Sequence, residues 1–315
     1  LLIDLLDTEY SERGDIMLNY KSWGRTVFNI FNHIILLATC LLCVLPFVNL
    51  LAISFSSSTA VAAGSVVFWP KDFTLASYEF TLSDGKFIRA MMISIGRVVI
   101  GVSLNLILII LTAYPLSKTK QQLAGRSIYV IFFVITMLIG GGLIPTYLLV
   151  SGLGLKNTIW SLVLPGALPV GNMVIFMNFI RSLPEEIEEA AVIDGATPMQ
   201  VLMKVLLPVL KPAIATVGLF CIVNHWNDWF SGMIYMTSTD KYPLQTYLQS
   251  MLLSIEQMMQ QVRQSGGDMQ SVLTQINART GRAAQLFLGA IPVMLIYPYL
   301  QKYFTKGLIL GSIKG

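Results

Sequence analysis

The chain has 315 residues, of which 55% are hydrophobic and only 12% charged, with a mean hydropathy of +0.68. Soluble domains carry about a quarter charged residues, so this composition argues against an ordinary water-soluble enzyme. The formal charge of +4 is spread along the chain without a basic stripe and interleaved aromatics, which argues against a nucleic-acid partner.

Residues 1–16 are acidic and mixed and lack the basic start of a signal peptide; 1–27 reads as an N-terminal cytoplasmic segment. Uncharged runs then follow at Thr26–Pro70, Val98–Ser117, Ser127–Leu155, Asn157–Ile180, Pro212–Asn227 and Ala283–Gln301, several reaching the ~20 residues that cross a bilayer. They predict an all-α integral membrane protein with six transmembrane helices, at about 28–53, 90–115, 127–149, 158–180, 209–235 and 283–300. The absence of ~10-residue alternation argues against barrel strands. Pro46, Pro145, Pro165, Pro169, Pro292 and Pro298 predict kinks and interruptions. Gly140-Gly141-Gly142 before Pro145 predicts the sharpest break. Cys40, Cys43 and Cys221 sit in apolar runs and are expected to pack as small hydrophobes. No metal-ligand cluster or catalytic constellation is evident.

Six spans place both termini on one side. The connector with Lys118, Lys120 and Arg126 and the tail with Lys302, Lys306 and Lys314 contain no acidic residue, and Lys21 and Arg25 precede the first span. The positive-inside rule makes these segments cytoplasmic, with twelve Lys/Arg inside and eight outside, Arg97 left aside. One polar connector, Arg181 to about Pro208, is then inside. Two are outside, about Ser54–Arg89 and Thr237–Arg282.

The inner connector reads as two short helices. Ser182-Leu183-Pro184-Glu185 predicts a capping box, and Glu185, Glu186, Glu188 and Glu189 suit the positive helix start. Ile187, Ala190 and Ala191 are expected on one apolar face. Gly195 after Asp194 predicts a left-handed stop. Thr197-Pro198-Met199-Gln200 predicts a second start, with Val201, Leu202, Val205 and Leu206 as its apolar face and Pro208 as its end. Two readings are open: a helix pair resting on the membrane, or a docking surface for a basic groove on a protein partner.

Arg97, about seven residues into the second span, is read either as a snorkelling or structurally paired charge or as a pathway residue. Asn224, His225, Asn227 and Asp228, flanked by Trp226 and Trp229, suit a sugar path, where hydroxyls need donors and rings stack on aromatics. The alternative is an interfacial belt. In the outer connector, Leu248, Met251, Leu252, Ile255, Met258, Met259 and Val262 have helical spacing. Gly266-Gly267 separates a second run at Met269, Val272, Leu273 and Ile276. These helices are expected to lie on the membrane or meet an external partner.

Glu189-Ala190-Ala191, three residues, Gly195, nine residues, then Val205-Leu206-Leu207-Pro208 resembles the EAA loop of permease subunits of binding-protein-dependent ABC importers. Asp194-Gly195-Ala196 and Pro212 extend the likeness, with Val205 where isoleucine is commoner. Phe68-Trp69-Pro70-Lys71-Asp72-Phe73-Thr74-Leu75, Trp226-Asn227-Asp228-Trp229 and Gln301-Lys302-Tyr303-Phe304-Thr305-Lys306-Gly307 resemble the maltose-type, carbohydrate branch. The ending Gly311-Ser312-Ile313-Lys314-Gly315 resembles members serving oligosaccharides or polysaccharide fragments. Residues 1–27 lie outside the resemblance.

The resemblance implies a type I ABC importer permease fold over 28–315, with 182–208 as the cytoplasmic coupling loop, in a bacterial cytoplasmic membrane. It implies a heterodimer with a second permease, an ATPase dimer below and an external or periplasmic solute-binding protein. Glu189, Ala190, Ala191, Asp194, Gly195, Ala196, Leu207 and Pro208 are the implied ATPase-coupling residues. The tail Lys306–Gly315 either reaches the ATPases or lies at the inner leaflet. No Gly-x-x-x-x-Gly-Lys-Ser/Thr loop occurs, so ATP and Mg belong on the partner ATPase and no cofactor is expected here. The rivals are an ion-coupled secondary transporter, which wants repeated halves and buried acid pairs, and a membrane-embedded glycan enzyme, which wants an acidic pair or metal cluster.

Overall fold

The computed structural model describes residues 23–83, 85–265 and 280–298. The tail motifs and the run 266–279 lie outside them. Among the described residues every regular element is helical.

The first apolar run forms α1 (Trp23–Ser54) and contains Pro46 without ending there. Every described side chain from Trp23 to Phe47 is exposed, so α1 adds little to the core. Cys40 and Cys43 are exposed on it, while Cys221 is buried. The expectation of packing therefore fails for the first two, because a membrane helix keeps an apolar exterior wherever lipid replaces water.

The second span is α2 (Gly85–Ser117), 33 residues long and so about 50 Å. Its buried stripe runs Phe87, Ala90, Ser94, Arg97, Gly101, Asn105, Ile109, Ala113 and Leu116. Steps of three or four keep these on one face, and the small and polar members at its middle let other backbones approach. Around this mast the third, fourth and fifth spans are broken. The third is α3 (Arg126–Leu138) and α4 (Leu143–Gly152), bent by 107° where Gly142 takes φ 82. The fourth is Trp160–Gly166 followed by α5 (Val170–Arg181), bent by 51° at Pro165 and Pro169.

After the short helix α6 (Glu186–Ile193) and the segment Pro198–Val209, an 83° turn at Leu210 leads into α7 (Lys211–Asn227). The fifth span is thus not one helix over 209–235: it stops at Asp228 and resumes as Phe230–Tyr235. The long α8 (Leu244–Ser265) and α9 (Thr280–Pro298) complete the described chain. Among the described residues, helices α1, α2 and α9 are each long and apolar enough to cross a membrane, and the count is up to six with each bent pair taken as one span.

Two cores result. The larger one joins Ile109 and Ala113 of α2, Met173, Phe176 and Met177 of α5, Val201, Leu202 and Leu206 of the segment before α7, and Val217 of α7. The smaller one joins Phe87 and Ala90 to Trp226, Leu244, Tyr247 and Leu248. The first turns of α8 therefore pack on their own chain, anchored by the Leu244 N–H donating to Ser94 Oγ at 2.7 Å. Of the run read on this helix, Leu248 is buried and Met251 and Leu252 are half-buried.

Candidate functional site

The connector 182–208 folds as two helices around one turn, but its first start differs from expectation. Ser182 caps nothing: its backbone is still helical, at φ −77 and ψ −14, and its hydroxyl donates to Phe179 O at 2.8 Å. A carbonyl of its own helix takes the hydroxyl, and Pro184 offers no amide. Helix α6 therefore starts at Glu186, and Glu185 makes no side-chain cap bond. Glu186, Glu188 and Glu189 fill its first turn, where the macrodipole favours them.

The turn follows the expectation. Gly195 has φ +80, its N–H donates to Val192 O at 3.0 Å and the Ala196 N–H donates to Ala191 O at 3.0 Å, the paired bonds of a Schellman stop. A Cβ on Gly195 would meet nothing within 4 Å, so backbone conformation alone selects glycine there. Thr197 and Gln200 then form the reciprocal capping box, at 3.4 and 2.8 Å. A π-helical turn, Val201–Leu206, carries the chain onward, with Leu207 N–H donating to Leu202 O. Pro208 does not end this helix, which runs to Val209. Proline in the first turn of a new helical stretch removes a donor that had no partner.

The connector is therefore anchored on one side and bare on the other. Val201, Leu202 and Leu206 are buried, and Ala191 and Ala196 pack against the same core. Glu185, Glu189, Ala190, Asp194, Gly195 and Pro208 are exposed, and Leu207 is half-buried. The expected face of Ile187, Ala190 and Ala191 is split, since Ala190 points outward while its neighbours are half-buried. Beside the carboxylates stand Val192 at 57%, Ile193 at 84%, Met199 at 56% and Met203 at 56% exposed. The sequence reading missed this apolar rim; its signal was a bulky pair directly before the glycine stop. A cavity of about 710 Å³ is lined by Lys118, Arg126 and Arg181 together with Glu185, Glu188, Glu189 and Ile193.

Within the membrane the polar residues are mostly closed off. Arg97 is 2% exposed. It donates to Asp228 O at 2.8 Å and Leu162 O at 3.2 Å, and it forms an ion pair with the Asp228 carboxylate. That carboxylate also accepts the Ser231 N–H at 3.1 Å and the Ser231 hydroxyl at 2.6 Å, which starts Phe230–Tyr235. Two turns along α2, Asn105 donates to Gly166 O at 2.9 Å and Ala167 O at 2.7 Å, and its Oδ1 lies 2.8 Å from His225 Nε2. With the amide nitrogen donating to carbonyls, Oδ1 must accept and Nε2 carries the proton. Gly101 lies between, and a Cβ there would come within 2.5 Å of the imidazole.

The carbonyls so capped, Leu162, Gly166, Ala167 and Asp228, are those that the broken spans leave without helical partners. Arg97 thus takes the structural-pairing reading. Trp226 is buried and donates to Gly289 O at 3.2 Å. Asn224 and Asn227 are exposed and align with Phe220 at helical spacing. Trp229 is 39% exposed. Asn105 was missed by the sequence reading, although a polar residue eight after Arg97 returns to nearly the same helix face. Among the described residues no group of three or more His, Cys, Asp or Glu could hold a metal.

Comparison with known proteins places these features in a wider set. The profile described as "Binding-protein-dependent transport system inner membrane component" matches residues 107–310. The chain is 36% identical over 300 residues to Protein LplC of Bacillus subtilis (strain 168), covering 95% of this chain and 98% of that protein. It is 34% identical over 289 residues to the polygalacturonan/rhamnogalacturonan transport system permease protein YtcP of the same organism, covering 92% and 99%. Among solved structures, a bacterial ABC transporter involved in the import of the acidic polysaccharide alginate contains a similar chain. The TM-score is 0.79 at 30% identity, over 90% of this chain and 99% of that one.

Proposed function

This chain belongs to the family of binding-protein-dependent inner membrane transport components, the permeases of ABC importers, and we propose that it carries oligosaccharides bearing uronic acids, driven through 182–208 by a separate ATPase. It is a multi-pass inner-membrane protein of the all-α, type I permease fold. The uronate preference is supported by two relatives: one is named for polygalacturonan and rhamnogalacturonan, and the other serves alginate.

The observation that carries the coupling assignment is the exposed Glu189 beside the rim Val192, Ile193, Met199 and Met203, on a loop whose other face is locked into the core. Glu189 pairs with a basic residue of an ATPase groove, and Ala190 and the rim fill the cleft beside it. Asp194, Gly195 and Ala196 set the angle between the two helices. Leu207 and Pro208 join the lever to α7. ATP and Mg are held by the ATPase dimer, and this chain supplies no ligand to them. Both termini lie on the cytoplasmic side, a second permease completes the path, and an external binding protein delivers the sugar. Asn224, Asn227 and Trp229 face that path, while Arg97, His225, Trp226 and Asp228 hold its wall. With Asp228 committed to Arg97, the carboxylate that an ion-coupled carrier would want is occupied.

Co-purification with an ATPase subunit tests the assignment, together with ATP-dependent uptake of neutral and uronate-bearing oligosaccharides, with and without the binding protein. Glu189→Lys and Gly195→Asp should leave membrane insertion intact and abolish ATPase assembly or uptake. Normal uptake by either variant would remove the coupling role. Uptake of neutral oligosaccharides alone would remove the substrate class.

A further inference from the structure

Directly behind the docking face, one residue from Glu189, the Glu188 carboxylate turns inward. It forms an ion pair with Lys118, the first residue after α2, and accepts from the Tyr114 hydroxyl at 3.3 Å. The Lys118 ammonium also lies 4.3 Å above the Tyr114 ring. Both members of the pair are sheltered, with side chains 16% and 29% exposed, and burial lowers the Lys118 pKa from its ordinary value. The α2 end that carries Lys118 is itself held fast. Arg126 Nε donates to Leu116 O at 2.7 Å, and Arg181 donates to Leu116 O at 3.0 Å and Ser117 O at 3.2 Å. Two guanidiniums thus cap the negative end of the longest helix.

Among the described residues, the polar side-chain contacts recorded between α6 and a span all run through Glu188. The neighbouring Glu185, Glu186 and Glu189 are exposed. The sequence run of four glutamates therefore holds two kinds of group, three facing outward and one committed to α2. The same helix, α2, carries Arg97 and Asn105, which hold the breaks of the fourth and fifth spans.

We propose that Glu188, Lys118 and Tyr114 form the strut by which movement of the cytoplasmic loop is delivered to α2, so that Glu188 is a positioning residue for transport rather than part of the ATPase-docking face. The inference rests on the permease reading above. Apolar packing of Ala191 and Ala196 resists compression of the loop onto the core. An ion pair with a hydroxyl and a ring on its flanks also resists sliding and pulling, which a lever driven from outside must withstand in both directions. Breaking the pair leaves Glu189 and the apolar rim in place. ATP hydrolysis then continues while less of the motion reaches the broken spans.

The test uses the complete importer in proteoliposomes with its binding protein, reading ATP hydrolysis and uptake of short oligogalacturonides in the same vesicles. Glu188→Gln and Lys118→Met should each keep ATPase assembly and binding-protein-stimulated hydrolysis. Uptake should fall about tenfold, the scale of one charge-assisted hydrogen bond, so that more ATP is hydrolysed per sugar. The exchange Lys118→Glu with Glu188→Lys should restore the ratio of the parent, which a purely steric role would not allow. Unchanged uptake in Glu188→Gln overturns the strut, and so does loss of ATPase assembly in that variant or failure of the exchanged pair to recover. Absence of ATP-dependent uptake in the parent importer would instead strike the permease reading itself.

Discussion

Two stretches concentrate the polar residues of this chain, Glu185–Asp194 and Asn224–Asp228, and the structure treats them oppositely. The first keeps Glu185, Glu186, Glu189 and Asp194 exposed on a loop whose turn is closed by its own backbone bonds at Gly195 and Ala196. The second buries His225 and ties Asp228 to Arg97. A carboxylate at the aqueous edge is solvated until a partner arrives. One inside the membrane needs its counter-charge in the same chain. Polar residues in the spans are here mostly a means of closing broken helices, and most of those in the connector are left open for contact.

The sharpest way to test that contrast is to remove one member from each region. Arg97→Ala leaves the Asp228 carboxylate without its counter-charge and should cost about 3–5 kcal/mol, seen as loss of monodisperse protein in detergent. Glu189→Lys should shift thermal stability by less than about 0.5 kcal/mol while abolishing ATPase co-purification. A double change, Arg97→Met with Asp228→Leu, should be less harmful to stability than Arg97→Ala alone, since no unpaired charge is left. A smaller loss, about 1–3 kcal/mol, is expected for Gly101→Ala, whose Cβ meets the His225 ring. Thr197→Ala should remove a cap worth about 1 kcal/mol, read as faster amide exchange over 198–206 with insertion unchanged. The smallest stability effect belongs to Asn224→Leu and Asn227→Leu, whose side chains are exposed. These should leave folding intact and raise the sugar concentration needed for half-maximal uptake.

How much of this was legible depended on whether the governing interaction was local. Gly195 and the Thr197–Gln200 box are settled within five residues of chain, and both were readable. The break at Gly142 was readable too, because glycine and proline act on their own backbone. Ser182 shows the limit: it has the spacing of a cap, but the preceding helix holds its hydroxyl first. Asn105 and the Glu188 strut depend on partners 61 to 120 and 70 residues away. No local pattern separates Glu188 from Glu189, although one faces the core and the other faces out. Among the residues proposed for the path, the sequence grouped by adjacency what the helix separates by rotation. Asn224 and Asn227 fall on one face, His225 and Trp226 on another.

The bend between α3 and α4 carries a consequence for its surroundings in the membrane. Helix α3 has 13 residues, about 20 Å, too short for a hydrocarbon layer of about 30 Å. Its end at Ile139–Gly142 thus falls at membrane depth, and residues 135–145 are all exposed on the isolated chain. Peptide groups there cannot be left to lipid. A neighbouring surface packed over this bend would give those peptide groups the cover that lipid withholds.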